Sequence, residues 1–401
     1  MYKPLFAITL FAATATAVAL HPAAEPAPPG PRPVTPVTPV TPLAEVRAPR
    51  IEVVFALDTT GSMGGLIDAA KEKIWSIAAS MAQAEPAPEI RMGLVAYRDH
   101  GDSYVTRTVD LSSDLDSVYA RLMDFQAGGG GDHAEAVNEA LHEAVEGMSW
   151  SADGDVYRVV FLVGDAPPHM DYANAPRYPE VIERARARGI VVNAIQCGND
   201  GAARAAWTRI AALAQGDFFN VAQDGNAVAV ATPYDDRLAE LAAAMDETRL
   251  FFGDAATRAR LADKDAATAK LKAAASPAAL ARRATFNASA SGAANLGGEA
   301  DLVEAVASGR VDLAEVAPAA LPEPLQALSA AERAAEVAAA AEKRAAVKRE
   351  ITELAAERDR YIADELEARG GAEDSLDSRL YDTVRRQAAD IGLEYGDGAR
   401  F

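Results

Sequence analysis

The stretch Val53-Val54-Phe55-Ala56-Leu57-Asp58-Thr59-Thr60-Gly61-Ser62-Met63 decides the fold. Its five leading apolar residues, rich in β-branched and aromatic types, suit a central parallel strand covered on both faces. The strand ends on Asp58, so this carboxylate falls on the rim where open α/β sheets bind ligands. Asp58, Thr60 and Ser62 alternate along a tight turn in which Gly61 relieves backbone crowding. Three hard oxygen donors can then converge on one point, a set suited to Mg²⁺ or a similar divalent ion.

Outward from this strand, apolar runs alternate with amphipathic ones. Strands are predicted over 51–58, 90–97, 104–111 (antiparallel to its predecessor), 156–163, 190–197 and 218–221. Helical patterns fall over 66–82, 114–125, 134–146, 179–188, 203–214 and 235–248. Fully apolar strands alternating with helices are the signature of an α/β, doubly wound, mostly parallel sheet. Cys197, the only cysteine, excludes an intramolecular disulfide framework and is expected to be a free, buried thiol.

The flanks differ in composition. Residues 1–20 carry Lys3, an apolar run and the small residues Ala17-Val18-Ala19, which reads as a signal peptide; an uncleaved N-terminal membrane anchor is the alternative. Residues 21–50 are proline-rich, with Pro-Val-Thr repeats, and read as an extended spacer. The folded α/β domain is assigned to 51–250 and an Ala-rich connecting region to 251–320, with 285–300 expected as a loop that includes the sequon Asn287-Ala288-Ser289. Over 321–401 a C-terminal α-helical extension is expected, opened by the capping box Ser329-Ala330-Ala331-Glu332. Its apolar stripe (Val337, Val347, Ile351, Leu354, Ile362) is interrupted by Arg344 and Arg358, which favours a helical hairpin over a short coiled coil. With 59 acidic against 39 basic side chains the formal charge is −20, which disfavours nucleic acid and anionic membrane surfaces as partners.

The Asp58-Thr59-Thr60-Gly61-Ser62 turn at the end of a first strand resembles the metal-ion-dependent adhesion site of von Willebrand factor type A (VWA) domains, over about residues 51–250. The resemblance implies a Rossmann-like sheet, a bound Mg²⁺ (alternatively Mn²⁺ or Ca²⁺), and a protein partner that offers an Asp or Glu carboxylate to the ion. It also implies two more metal-binding loops on the same rim. Asp165, after Phe161-Leu162-Val163-Gly164, matches the family's Asp, although Ala-Pro-Pro-His replaces the residues that usually follow it. The third loop, Gly128-Gly129-Gly130-Gly131-Asp132-His133-Ala134-Glu135, lacks the family's Thr, and Asp132 is the candidate replacement. The expected ligands are therefore Asp58, Thr60, Ser62, Asp132 and Asp165.

Arg98, Asp99, His100, His133, Glu135 and His169 are expected around them, as second-layer groups or partner contacts. Imidazole would suit Mn²⁺ or Zn²⁺ where Mg²⁺ would not use it, but solvated or supporting histidines are favoured. The resulting expectation is an exported binding module, periplasmic or secreted, without enzymatic activity. A structural envelope protein whose metal only fastens loops is the alternative. A hydrolase is disfavoured because Thr, not an acid, stands two residues after Asp58 and no Lys follows Asp165 closely.

Overall fold

The computed structural model describes residues 48–221, 230–368 and 376–396. The expected signal peptide, and the proline-rich spacer up to Arg47, lie outside these residues. Among the described residues no helix is long and apolar enough to cross a membrane.

Six strands, β1 (Arg50–Asp58), β2 (Glu89–Tyr97), β3 (Thr106–Ser112), β4 (Val156–Gly164), β5 (Ile190–Cys197) and β6 (Phe218–Val221), form one sheet in the order β3-β2-β1-β4-β5-β6. All pair in parallel except β3, which runs antiparallel to β2. The chain winds one way from β1 to β2 and the other way from β4 to β5, so the order reverses between β1 and β4. In open sheets that switch point is where ligands bind, and Asp58 and Asp165 end the two strands that flank it.

The alternation in β1 feeds two cores. Ile51, Val53, Phe55 and Leu57 point to one face, where Phe55 stacks on Phe161 with ring centroids 5.5 Å apart. That face is covered by α1 (Gly64–Met81) and α2 (Leu115–Leu122). Val54 and Ala56 point to the other, under α3 (Val137–His142), α4 (Tyr178–Ala187) and α5 (Gly201–Leu213). The helix expected over 134–146 starts only at Val137, because the loop before it is held by neighbouring loops, and ends in a π turn over Glu143–Gly147.

Beyond β6 the described residues are mainly helical: α6 (Asp235–Asp246), α7 (Ala255–Ala274), α8 (Pro277–Ala288), α9 (Leu302–Ala307), α10 (Ala330–Ala368) and α11 (Leu376–Ala388), together with shorter helical turns. The region expected merely to connect supplies core: Leu271, Ala279 and Phe286 join Trp75 and Tyr119 beneath the sheet. The expected loop over 285–300 is helical up to Ala288, and Asn287 is buried with its side chain bonded to Asn295, out of reach of glycosylation. Asp116 on α2 is fully buried and accepts bonds from Arg283 Nε and Nη2, both at 2.6 Å, and from Thr268 at 2.9 Å. Burial disfavours its charge, but Arg283, Lys264 and Arg249 outweigh that and hold Asp116 well below the usual carboxylate range. Asp246 completes the cluster, 2.7 Å from Arg249 and 2.9 Å from Arg283.

The capping box forms as expected, Ser329 N donating to Glu332 Oε2 at 2.7 Å and Glu332 N to Ser329 Oγ at 3.3 Å. The hairpin does not: α10 packs on α6, α8 and α9, while α11 packs on α1. The two arginines that break the heptad are the reason. Arg344 is buried against Asp301 (2.9 Å) and Arg358 against Asp235 (2.8 Å), while Val337, Val347 and Ile351 pack on apolar residues such as Leu238, Leu241 and Leu302, so the stripe of α10 is used up within this chain.

Candidate metal centre

Backbone hydrogen bonds between loops build the rim. Gly61 N donates to Gly129 O (3.1 Å) and Gly128 N to Thr59 O (3.1 Å), tying the β1 turn to the glycine loop. Ala136 N donates to Arg98 O (3.0 Å), Glu135 N to Pro167 O (3.0 Å) and His169 N to Glu135 O (3.1 Å), tying that loop to those after β2 and β4. Gly129 and Gly130 have φ of +80° and +79°, and a Cβ on Gly129 would stand 2.3 Å from Asp102 Oδ1. Glycine is required there by conformation and by space.

Asp58 is buried at the floor. Its Oδ1 accepts from Thr60 N (2.8 Å) and Thr60 Oγ1 (2.6 Å), and Ser62 Oγ lies 3.3 Å from Thr60 Oγ1. The Thr60 proton is thereby turned to Asp58, which leaves its oxygen lone pairs for another partner. Asp58 Oδ2 is buried with no hydrogen-bond partner, and so is Glu135 Oε2. Glu135 Oε1 and the Thr60 side chain both press on Gly130, where an added Cβ would meet them at 3.2 and 3.3 Å. Burial pushes Asp58 from 3.8 up to about 7, against the lowering by its Thr60 bonds and with a further rise from the Asp165 charge. Burial, then the charges of Asp58, Asp99, Asp102 and Asp165, pushes Glu135 up to about 9. A cluster of carboxylates with two buried oxygens that lack hydrogen-bond partners, beside two hydroxyls, is an all-oxygen set whose chemistry suits a hard dication. Asp58, Thr60, Ser62, Asp165 and Glu135 are the residues that fit one.

Asp132, expected as the third-loop ligand, has a different neighbour. Its side chain is 61% exposed and its Oδ1 lies 3.3 Å from His169 Nε2. The inward place on that loop is taken by Glu135, fixed by its two backbone bonds to the β4 loop.

The surrounding residues divide into braces and a second cluster. Arg98 is a brace: Nε donates to Thr59 O (3.1 Å), Nη2 to Gln126 O (2.8 Å) and Nη1 to Ser103 Oγ (3.0 Å), with its guanidinium over the Tyr104 ring. His100 bonds Glu139 (2.6 Å) and His133 bonds Asp200 (3.1 Å), both at the surface. Buried His169 bonds Asp171 through Nδ1 (2.7 Å) and turns Nε2 to Asp99 (3.5 Å) and Asp132. Its burial opposes a charge, but the bonds it donates to Asp171 and Asp132 and the Asp99 charge hold its pKa above the ordinary value. Tyr172, which the sequence reading missed, stacks on both His169 and His100 with centroids 4.1 Å apart and donates to Asp99 (3.1 Å). The only sequence signal for it was proximity to His169 in His169-Met170-Asp171-Tyr172. Cys197 is buried at the end of β5, and burial with the Asp165 and Asp58 charges pushes its thiol up, so it stays protonated.

Residues 52–233 match the family profile of the von Willebrand factor type A domain. The chain is 38% identical over 120 residues to von Willebrand factor A domain-containing protein 7 of Rattus norvegicus, and 33% identical over the same length to that of Homo sapiens. These matches span 30% of this chain and 12% of those proteins. Similar solved structures include proximal thread matrix protein 1 from the mussel byssus with a zinc-occupied MIDAS motif, at 16% identity and a TM-score of 0.35, covering 45% of this chain and 43% of that one. Another is the pilus adhesin SpaC from Lactobacillus rhamnosus GG, at 13% identity and a TM-score of 0.33, covering 45% and 29%.

Proposed function

We propose that this chain, whose residues 52–233 match the von Willebrand factor type A domain, is an exported binding module that holds a divalent cation on its rim and presents it to an acidic side chain of a protein partner. The observation that carries this reading is the pair of orphaned buried oxygens, Asp58 Oδ2 and Glu135 Oε2. Burying a carboxylate oxygen without a partner costs several kcal/mol unless a proton or a cation meets it, and hydroxyl donors beside it make a cation the better match.

Asp58, Thr60, Ser62, Glu135 and Asp165 would hold the ion. Mg²⁺ is the first choice for an all-oxygen set, with Mn²⁺ or Ca²⁺ as alternatives. The ion would supply an electrophilic centre at which a partner's Asp or Glu replaces water. No acid stands at position 60 and Cys197 is buried and protonated, so no covalent chemistry is assigned. The segment over 1–20 supports export to a periplasmic or extracellular space, where free Mg²⁺ and Ca²⁺ are at hand.

The reading is tested by titrating Mg²⁺ calorimetrically with and without an acidic peptide, and by pull-down from the native milieu with and without chelator. A partner that engages the ion must tighten Mg²⁺ binding by the factor by which Mg²⁺ tightens its own binding. If the acidic peptide leaves Mg²⁺ affinity unchanged, the metal only fastens loops. That second reading is favoured by the extra carboxylate of Glu135, which lowers the ion's demand for an outside acid. Glu135→Gln separates the two: metal affinity is expected to fall about 10-fold or more, while dependence on the acidic peptide rises. Unchanged Mg²⁺ affinity would remove Glu135 from the ligand set.

A further inference from the structure

We propose that Asp99, Asp132 and His169 form a second divalent-metal site on the same rim, separate from the Asp58 centre and suited to Zn²⁺ or a similar transition-metal ion. One oxygen or nitrogen from each of the three lies within 4.8 Å of the others. Two edges of this triangle are His169 Nε2 to Asp132 Oδ1 at 3.3 Å and to Asp99 Oδ2 at 3.5 Å. Charge-assisted N–H···O bonds close to about 2.7–2.9 Å, so the Asp132 edge is a long hydrogen bond and the Asp99 edge is longer still. A tetrahedral ion with ligands at about 2.0–2.1 Å separates them by about 3.3–3.4 Å, close to the 3.3 and 3.5 Å of these two edges.

The histidine is oriented for this role. Nδ1 bonds Asp171 at 2.7 Å, which fixes the ring and points Nε2 at the two carboxylates. A carboxylate behind a ligating imidazole is the usual support of a metal-bound histidine. Rotation is further limited by Tyr172, stacked on the ring and donating to both Asp99 oxygens at 3.1 Å. His169 and Asp99 are buried while Asp132 is open to solvent, giving an anchored floor and an entry side. Imidazole with two carboxylates selects Zn²⁺ or Mn²⁺ over Mg²⁺, and three protein ligands leave a fourth position for water or a partner group. This goes beyond the binding reading, because the Asp58 set contains no nitrogen donor.

The test is Zn²⁺ titration of the metal-stripped full chain against a chromophoric chelator, together with the visible spectrum of the Co²⁺-substituted protein. The wild-type chain is expected to take two Zn²⁺ equivalents. Asp58→Asn and His169→Ala are each expected to retain one, with His169→Ala also losing the imidazole contribution to the Co²⁺ bands. Asp171→Asn, which leaves all three ligands in place, is expected to weaken that one site about 10- to 100-fold; His169→Gln with retained circular dichroism guards against a folding defect in the alanine variant. Two equivalents of unaltered affinity in both His169 variants would overturn the proposal, as would a single equivalent that Asp58→Asn removes. A single equivalent removed by His169→Ala instead supports this site and counts against the Asp58 centre.

Discussion

In chelator, raising the pH from 4 to 9 is expected to lower the melting temperature of this protein, and saturating Mg²⁺ to restore it. The sign follows from Asp58. Its pKa is raised on folding from 3.8 to about 7, chiefly by burial, so below about pH 4 it is protonated in both states and costs nothing. Between pH 4 and 7 the unfolded chain ionises first and stability falls; above pH 7 the full difference applies. Three pH units at about 1.4 kcal/mol each give a loss of about 4 kcal/mol. Glu135, raised from 4.5 to about 9, acts in the same direction and extends the fall upward in pH. A bound dication replaces both protons, so Mg²⁺ should release protons on binding and flatten the curve. Asp58→Asn keeps an acceptor for Thr60 but removes the charge: it is expected to melt higher than the wild type in chelator at pH 8 and to lose at least about 100-fold in Mg²⁺ affinity. If Asp58 merely closes the turn, the variant will instead melt lower at every pH and bind Mg²⁺ as before.

Asp116→Asn is the second large effect, and it concerns the helices behind the sheet. The substitution leaves two buried arginines, Arg283 and Arg249, to share one remaining buried carboxylate, Asp246. Breaking a buried pair from one side costs about 3–5 kcal/mol, a large fraction of the roughly 5–15 kcal/mol that stabilises a typical domain. Urea denaturation should register that loss. Arg283→Met added to Asp116→Asn should recover part of it, because the excess buried positive charge is then gone and Asp246 is left to pair with Arg249. A loss below about 1 kcal/mol in the single variant would mean that water reaches the cluster and that α8 is held by its apolar contacts alone.

The alternating elements over 51–250 were legible because fully apolar strands such as Val159-Val160-Phe161-Leu162 admit few other readings. That Asp58, Thr60, Ser62 and Asp165 share one rim was legible for a related reason, since strand ends in a doubly wound sheet fix the rim. The identity of the inward group on the glycine loop was not. Asp132 and Glu135 are three residues apart on an irregular segment, and only the pairing of Glu135 with Pro167 and His169 decides which one turns inward. The helical region was misjudged from local pattern because buried ion pairs are set among its apolar clusters. Arg344 and Arg358 read as interruptions of an apolar seam until Asp301 and Asp235, distant in sequence, are found opposite them. Charge pairing across 43 and 123 positions leaves no periodic trace.

For the partner proposed above, the five backbone bonds that stitch the rim loops together also bear on the kinetics of binding. Loops already ordered before a ligand arrives lose little further freedom on contact, so the entropic penalty of association is small. The approach of a partner then needs no refolding of the rim and should proceed at the ordinary docking rate of about 10⁵–10⁷ M⁻¹s⁻¹. Discrimination between partners is left to residence time: a ligand that fits the rim stays longer, and one that does not leaves as fast as it came.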